Sequence, residues 1–294
     1  MSRRLGIALV VLSSVAFGTM APFARLAYAH GTNPTTLLFL RFGSAGLVMV
    51  AICRLRGVPM PRGKTLLGLA LMGGLGYVGQ SLAFFTALTM ANAGLVALLL
   101  YLHPAIVAVL SAFVLREPLT RLRGGAVLLA LVGTAFTVGP SLDARPLGIV
   151  LGTASAVIYS GYIMAGTKLL KNVAPLAGSA VIMTCAGAVF GVVAAADRFA
   201  LPSSVAGWVG VAGVALFGTV FAVTAFLIGL AAIGPTTASV LSTFEPLTTV
   251  LLAALVLGEA IDLWTAVGGA CILTAAIVLA RTPARRVHRS AGTE

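Results

Sequence analysis

The chain is 294 residues long, 60% of them hydrophobic and only 9% charged, with a mean hydropathy of +1.09. No water-soluble domain can hide that much apolar surface by folding, so the protein belongs in a membrane and no stretch is left over for a soluble domain. The net charge of +12 does not point to nucleic acid, because the basic residues lie scattered in short connections and form no single patch.

Apolar runs of about 20 residues, the length a helix needs to cross ~30 Å of hydrocarbon, recur from end to end. They predict an all-α integral membrane protein of ten transmembrane helices, at 5–28, 34–53, 65–88, 92–114, 121–139, 146–168, 175–196, 205–231, 236–257 and 263–281. The first run ends in Ala27-Tyr28-Ala29, as a cleaved leader does, but Arg25 interrupts it and a matching segment recurs inside the chain, so it reads as a span. Of the 19 basic residues, 15 fall in alternate connections, from Arg3 and Arg4 to Arg281, Arg285, Arg286 and Arg289. Only Arg145 and Arg198 occupy the opposite set. By the positive-inside rule both termini are expected in the cytoplasm of a bacterial-type inner membrane, with 282–294 a basic cytoplasmic tail.

The second half repeats the first at a constant offset of 142 residues without a gap. LGIALVVLSSV (5–15) meets LGIVLGTASAV (147–157); Pro104 pairs with Pro246, Glu117 with Glu259, Gly76 with Gly218 and Phe84 with Phe226. The repeats are read as 5–139 and 147–281. Each holds an odd number of spans, so the second enters the membrane inverted. Inverted repeats are a feature of secondary transporters, whose sites lie near the bilayer midplane between the halves.

LHPAIVAVLSAFVLREPL and FEPLTTVLLAALVLGEAI each run from an L-x-P or E-P step through an apolar stretch to a closing glutamate, and LFLRFGSAGLVMV (38–50) sets an arginine before small residues. This pattern resembles the EamA domain of the drug/metabolite transporter superfamily, in two copies covering essentially the whole chain. The resemblance implies a ten-helix exporter of amino acids, other metabolites or drugs. One departure is that Met183 stands in the second copy where the first has Arg41.

The candidate site residues are the polar groups that hydropathy places in mid-bilayer. Glu245 sits about halfway along the ninth span, where a carboxylate must face protein or water. Ser242, Glu245 and Thr249 would share one helix face, making Glu245 a counter-ion for a substrate amine or a proton-exchange site, against the plainer reading of a protonated acid bonded to a neighbouring helix. His103 is its repeat mate, and both precede prolines that free the carbonyls of Leu100 and Ser242. Arg41, permanently charged in the second span, is expected to point inward, to a substrate carboxylate or to a structural partner. Arg25 is close enough to a span end to snorkel.

Tyr77, Gln80, Ser81 and Phe84 form one stripe, and Ser155, Tyr159, Tyr162 and Gly166 another. With Tyr101 they are expected to wall an amphipathic pocket between helices. Gly73, Gly76, Gly79, Gly148 and Gly152 suit close helix approach, and Glu117 and Glu259 an orienting role at span ends. The three cysteines read as packing residues. Neither metal-ligand spacing nor a phosphate-cradling GxxxxGK[ST] loop occurs, so no metal, cofactor or enzymatic step is expected.

The expectation is a secondary transporter whose two five-helix halves rock around a midplane cavity lined by spans one, three, four, six, eight and nine, exporting a small metabolite, amino acids first. Its partners are a small-molecule solute, the bilayer and, left open by the residues, protons. A lipophilic-cation exporter is the rival reading; a receptor or scaffold that moves nothing is the remote one.

Overall fold

The structure, a computed structural model, describes residues 1–88, 90–91, 93–115, 120–138, 145–257 and 263–281. Glu117, Glu259 and the 282–294 tail therefore lie outside the described residues. The described chain is all helix and turn in ten successive segments. Repeat one comprises α1 (Arg3–Gly18) running into α2 (Met20–Ala29); α3 (Pro34–Leu55); α4 (Gly63–Leu71) joined by a π-helical turn (Met72–Tyr77) to α5 (Val78–Leu88); α6 (Ala93–Leu100) and α7 (His103–Val114); and α8 (Arg121–Val138). Repeat two comprises α9 (Pro146–Leu169); α10 (Pro175–Ala196); α11 (Val205–Ala215) joined by a second π-helical turn (Leu216–Phe221) to α12 (Ala222–Ile233); α13 (Pro235–Leu241) and α14 (Phe244–Leu257); and α15 (Leu263–Arg281).

Among the described residues, six helical stretches are long and apolar enough to cross a membrane: Arg3–Ala29, Pro34–Leu55, Gly63–Phe84, Pro146–Leu169, Pro175–Ala196 and Val205–Ile233. The fourth and ninth segments are interrupted at Tyr101–Leu102 and Ser242–Thr243, and the fifth and tenth are single helices of 18 and 19 residues. The interruptions precede Pro104 and Pro246, which cannot supply the amide for the carbonyl one turn back. Helix starts carry ordinary signals: the Asn33 side chain accepts from Thr36 N at 2.9 Å with Pro34 in the first turn, and Ser204 accepts from Gly207 N at 3.3 Å.

The principal packing partners lie across the repeats. α3 lies along its own mate α10, and α8 along its mate α15, while α1 on α12 is repeated as α9 on α5. Backbone approach explains the first pair: a Cβ added at Gly187 would sit 2.7 Å from Gly43 N, and one at Gly46 2.9 Å from Thr184 N. The halves therefore interdigitate and do not stand as two separate five-helix blocks, which corrects the image of halves rocking as units. In lipid, helices associate through small-residue packing, and here the complementary small faces belong to opposite repeats.

Candidate functional site

Where α1, α3, α5, α7, α9 and α14 converge, a central chamber of about 140 Å³ opens. Its wall is made by Phe17, Met20, Arg41, Tyr77, Gln80, Ser81, Phe84, Leu100, Tyr101, His103, Tyr159 and Glu245. Nine of the residues singled out from sequence meet there: Glu245, His103, Arg41, Tyr77, Gln80, Ser81, Phe84, Tyr101 and Tyr159. A second chamber of about 330 Å³ shares Phe17, Met20, Arg41, Phe84 and Glu245 with the first and continues past Thr249, Ala24, Arg25 and Tyr28 toward the α2–α3 turn.

The broken helices place the titratable pair. Because Pro104 has no N–H, the Leu100 carbonyl loses its helical donor; His103 Nδ1 lies 3.1 Å from that oxygen and takes the donor's place. A carbonyl cannot donate, so Nδ1 carries the hydrogen. The other ring nitrogen, Nε2, lies 3.1 Å from Ser242 Oγ at the break in the ninth segment, joining the two broken helices. Glu245 lies in the first turn of the next helix and interacts through its side chain with Tyr101, which occupies the break in the fourth segment. Among the described residues Glu245 makes no ion pair, and it borders both chambers.

Aromatic rings form the rest of the wall. His103 meets Tyr159 edge-on at 4.9 Å, Tyr159 stacks on Tyr162 at 6.0 Å, and Tyr162 meets Tyr77 edge-on at 5.5 Å between centroids. Arg41, 7% exposed, donates from Nε to Thr219 Oγ1 at 2.6 Å and from Nη2 to Tyr77 Oη at 3.3 Å and Gly218 O at 3.5 Å. Its Cζ also lies 4.5 Å from the centroid of Phe42.

Two candidates sit behind the wall. Ser242 does not line the chamber; the tight turn around it, with Thr243 N bonded to Val240 O and Glu245 N to Ser242 O at 3.1 Å each, breaks the single face assumed for Ser242, Glu245 and Thr249. Tyr162 is packed under Tyr159 and Tyr77, its hydroxyl buried and without a hydrogen-bond partner among the described residues. Its stripe companions Ser155 and Gly166 are likewise packing residues, Ser155 Oγ donating to Gly152 O at 2.7 Å. Span eight, expected in the central wall, reaches only the second chamber, through Val214. Sequence reasoning named the freed Leu100 carbonyl but missed Thr219 and Gly218. The signal for the last two was the alignment of Gly76-Tyr77 with Gly218-Thr219 at the repeat offset. Among the described residues no cluster of His, Cys, Asp and Glu could hold a metal ion.

The comparisons with known proteins agree with this architecture. Residues 4–139 and 146–281 each match the model of the EamA-like transporter family. An uncharacterised transporter of Archaeoglobus fulgidus is 28% identical over 94% of this chain and 96% of its own. The uncharacterised inner membrane transporter YedA of Escherichia coli (strain K12) is 26% identical over 84% of this chain and 81% of its own. One solved protein structure superposes with a TM-score of 0.83 over 94% of this chain and 96% of that one, at 23% identity, a likeness of fold.

Proposed function

The chain belongs to the EamA-like transporter family, and from that premise we propose that it exports a small metabolite, an amino acid first, across the inner membrane by alternating access at the central chamber. The observation that carries this reading is Glu245, a carboxylate that borders both chambers at a break between two helices. An acid at that depth is costly in lipid and is accommodated by a watered cavity. Glu245 takes the solute ammonium or a proton, Tyr101 orients it, His103 and Gln80 present polar groups to the other end of the solute, and the rings of Phe17, Phe84, Tyr77 and Tyr159 accept its apolar part. The second chamber then serves as the route toward the extracytoplasmic side, a direction supported by the excess of Arg and Lys in the alternate connections, which favours cytoplasmic termini. The protein's work is translocation, without a catalysed bond change.

The wall of rings around one carboxylate also suits a lipophilic cation, so the decisive experiment sets the two solutes against each other. Wild type and Glu245→Gln are reconstituted in liposomes, and counterflow of labelled leucine, phenylalanine and glutamine and of ethidium is followed with and without a pH gradient. Saturable amino-acid flux that Glu245→Gln abolishes, or strips of its pH response, supports the reading. Ethidium flux alone replaces it with the cation exporter; equal flux in the mutant at every pH removes Glu245 from the mechanism. Wild-type vesicles that move none of the four probes would overturn both solute readings.

A further inference from the structure

Tyr77 and Thr219 stand 142 residues apart, so they are the same position in the two repeats, and one guanidinium touches both. Both belong to π-helical turns, which are frequent at functional sites because the extra residue disturbs the regular ladder of carbonyls and amides. Thr219 donates its hydroxyl hydrogen to Val214 O at 2.9 Å, five residues back, which leaves its oxygen as the acceptor for Arg41 Nε. The Gly218 carbonyl, in the same turn, takes an Nη2 hydrogen.

We propose that Arg41 is a positioning residue and not a solute ligand: seated on Thr219 and Gly218 of the second repeat, it holds Tyr77 and, through Tyr77, the aromatic wall of the central chamber. Donor accounting supports this. Of the five N–H donors of arginine, the Nε–H and both Nη2 hydrogens are committed to protein, so only the Nη1 edge is left for the chambers that Arg41 borders. Among the described residues no carboxylate lies within ion-pair distance, so the buried charge is satisfied by a threonine, a tyrosine, a backbone carbonyl and the face of Phe42. From Tyr77 the contacts continue ring by ring through Tyr162, Tyr159 and His103 to Ser242, so a belt begun on the eighth segment ends on the ninth. The bond to Thr219, at 2.6 Å, is the seat, and the bond to Tyr77, at 3.3 Å, is the contact that yields when the wall moves.

The test rests on the transport reading for its flux arm only. In vesicles, Thr219→Val, which deletes a hydroxyl and keeps the shape, is compared with Arg41→Met, the residue of its repeat mate Met183, and with the double variant, using labelled leucine and isoamylamine, the same skeleton without a carboxylate. Positioning predicts that each single variant lowers flux of both probes about tenfold, that the double variant is no worse than either single, since the two act through one contact, and that Arg41→Lys fails to restore the forked seat. A ligand role predicts that Arg41→Met harms leucine selectively while Thr219→Val is silent, and either result overturns the proposal.

The second arm needs no solute. In a chain carrying Cys53→Ala, Cys185→Ala and Cys271→Ala, Gln80→Cys is placed on the chamber wall and its rate of labelling by a membrane-impermeant methanethiosulfonate is measured. Thr219→Val and Arg41→Met must each shift that rate at least threefold and in the same direction. Unchanged rates with correctly folded protein overturn the positioning role even if the vesicles carry nothing.

Discussion

Replacing His103 by leucine should strand the Leu100 carbonyl, and replacing Pro104 by alanine in the same chain should repair part of the damage. Pro104 lacks the N–H that would close the helical bond to Leu100 O, and His103 Nδ1 covers that oxygen at 3.1 Å. His103→Leu removes the cover in a site where His103 itself is 1% exposed. An orphaned buried carbonyl costs about 1–3 kcal/mol. The lost Nε2 to Ser242 bond adds about 0.6 kcal/mol, the average for such bonds between membrane helices. Alanine at 104 returns an N–H one turn downstream, so the double variant should recover about 1–2 kcal/mol, whereas Pro104→Ala alone, with the oxygen already bonded, should gain much less. The assay is unfolding by SDS in mixed micelles, followed by the fluorescence of Trp208 and Trp264, for wild type, both singles and the double. If Pro104→Ala changes stability by the same amount in both backgrounds, within about 0.5 kcal/mol, the histidine is not a substitute donor and the explanation of this helix break is wrong.

Tyr162→Phe removes a buried hydroxyl that has no partner among the described residues and should leave stability unchanged or raise it by up to about 1 kcal/mol, with flux retained; a tenfold loss of flux would show that the hydroxyl reaches the solute. Gly187→Leu should abolish detergent-stable, monodisperse protein, because a Cβ alone would approach Gly43 N to 2.7 Å and the α3–α10 contact has no room to open; normal elution would refute that packing. Reporter fusions after Gly31 and after Asn172 should report opposite sides of the membrane, with Asn172 on the cytoplasmic side; agreement between the two sites would overturn the span count, and a cytoplasmic Gly31 with an outer Asn172 would overturn the orientation drawn from the basic connections.

Much of this molecule was legible in the chain because lipid writes a simple rule. Segment lengths follow bilayer thickness, and proline marks where the fourth and ninth segments break. The stripe of Tyr77, Gln80, Ser81 and Phe84 reached the chamber wall because α5 is regular beyond its π-helical turn. Ser242 failed for the complementary reason: a rotation of about 100° per residue holds only in an unbroken helix, and the break at Ser242–Thr243 turns its hydroxyl to His103. Partner choice was hidden as well, since hydropathy reports depth in the bilayer and not which helix lies alongside; that α3 would pack on α10 was written only in small residues such as Gly46 and Gly187. Thr219 and Gly218 were invisible as single residues in an apolar run, and become meaningful only beside Tyr77 and Gly76.

The repeat offset also sorts the chamber wall. Of its twelve lining residues, ten come from the first repeat and two, Tyr159 and Glu245, from the second. The mates of Gln80 and Ser81 are Ala222 and Val223, buried against neighbouring helices, and the mate of Arg41 is Met183, fully buried. Only two mated pairs have both members in the wall, Phe17 with Tyr159 and His103 with Glu245. Members of a pair that face one cavity from both repeats lie close to the pseudo-twofold axis. In an inverted-repeat carrier, where the opposite-facing state arises as the repeats exchange conformations, positions near that axis stay in contact with the cavity in both states, while one-sided positions such as Gln80 and Arg41 leave it. On the proposed transport cycle the geometry separates two roles that mid-bilayer depth alone had merged: Glu245 and His103, with one aromatic pair, would accompany the solute throughout, while Gln80 and Ser81 would face it in one state only.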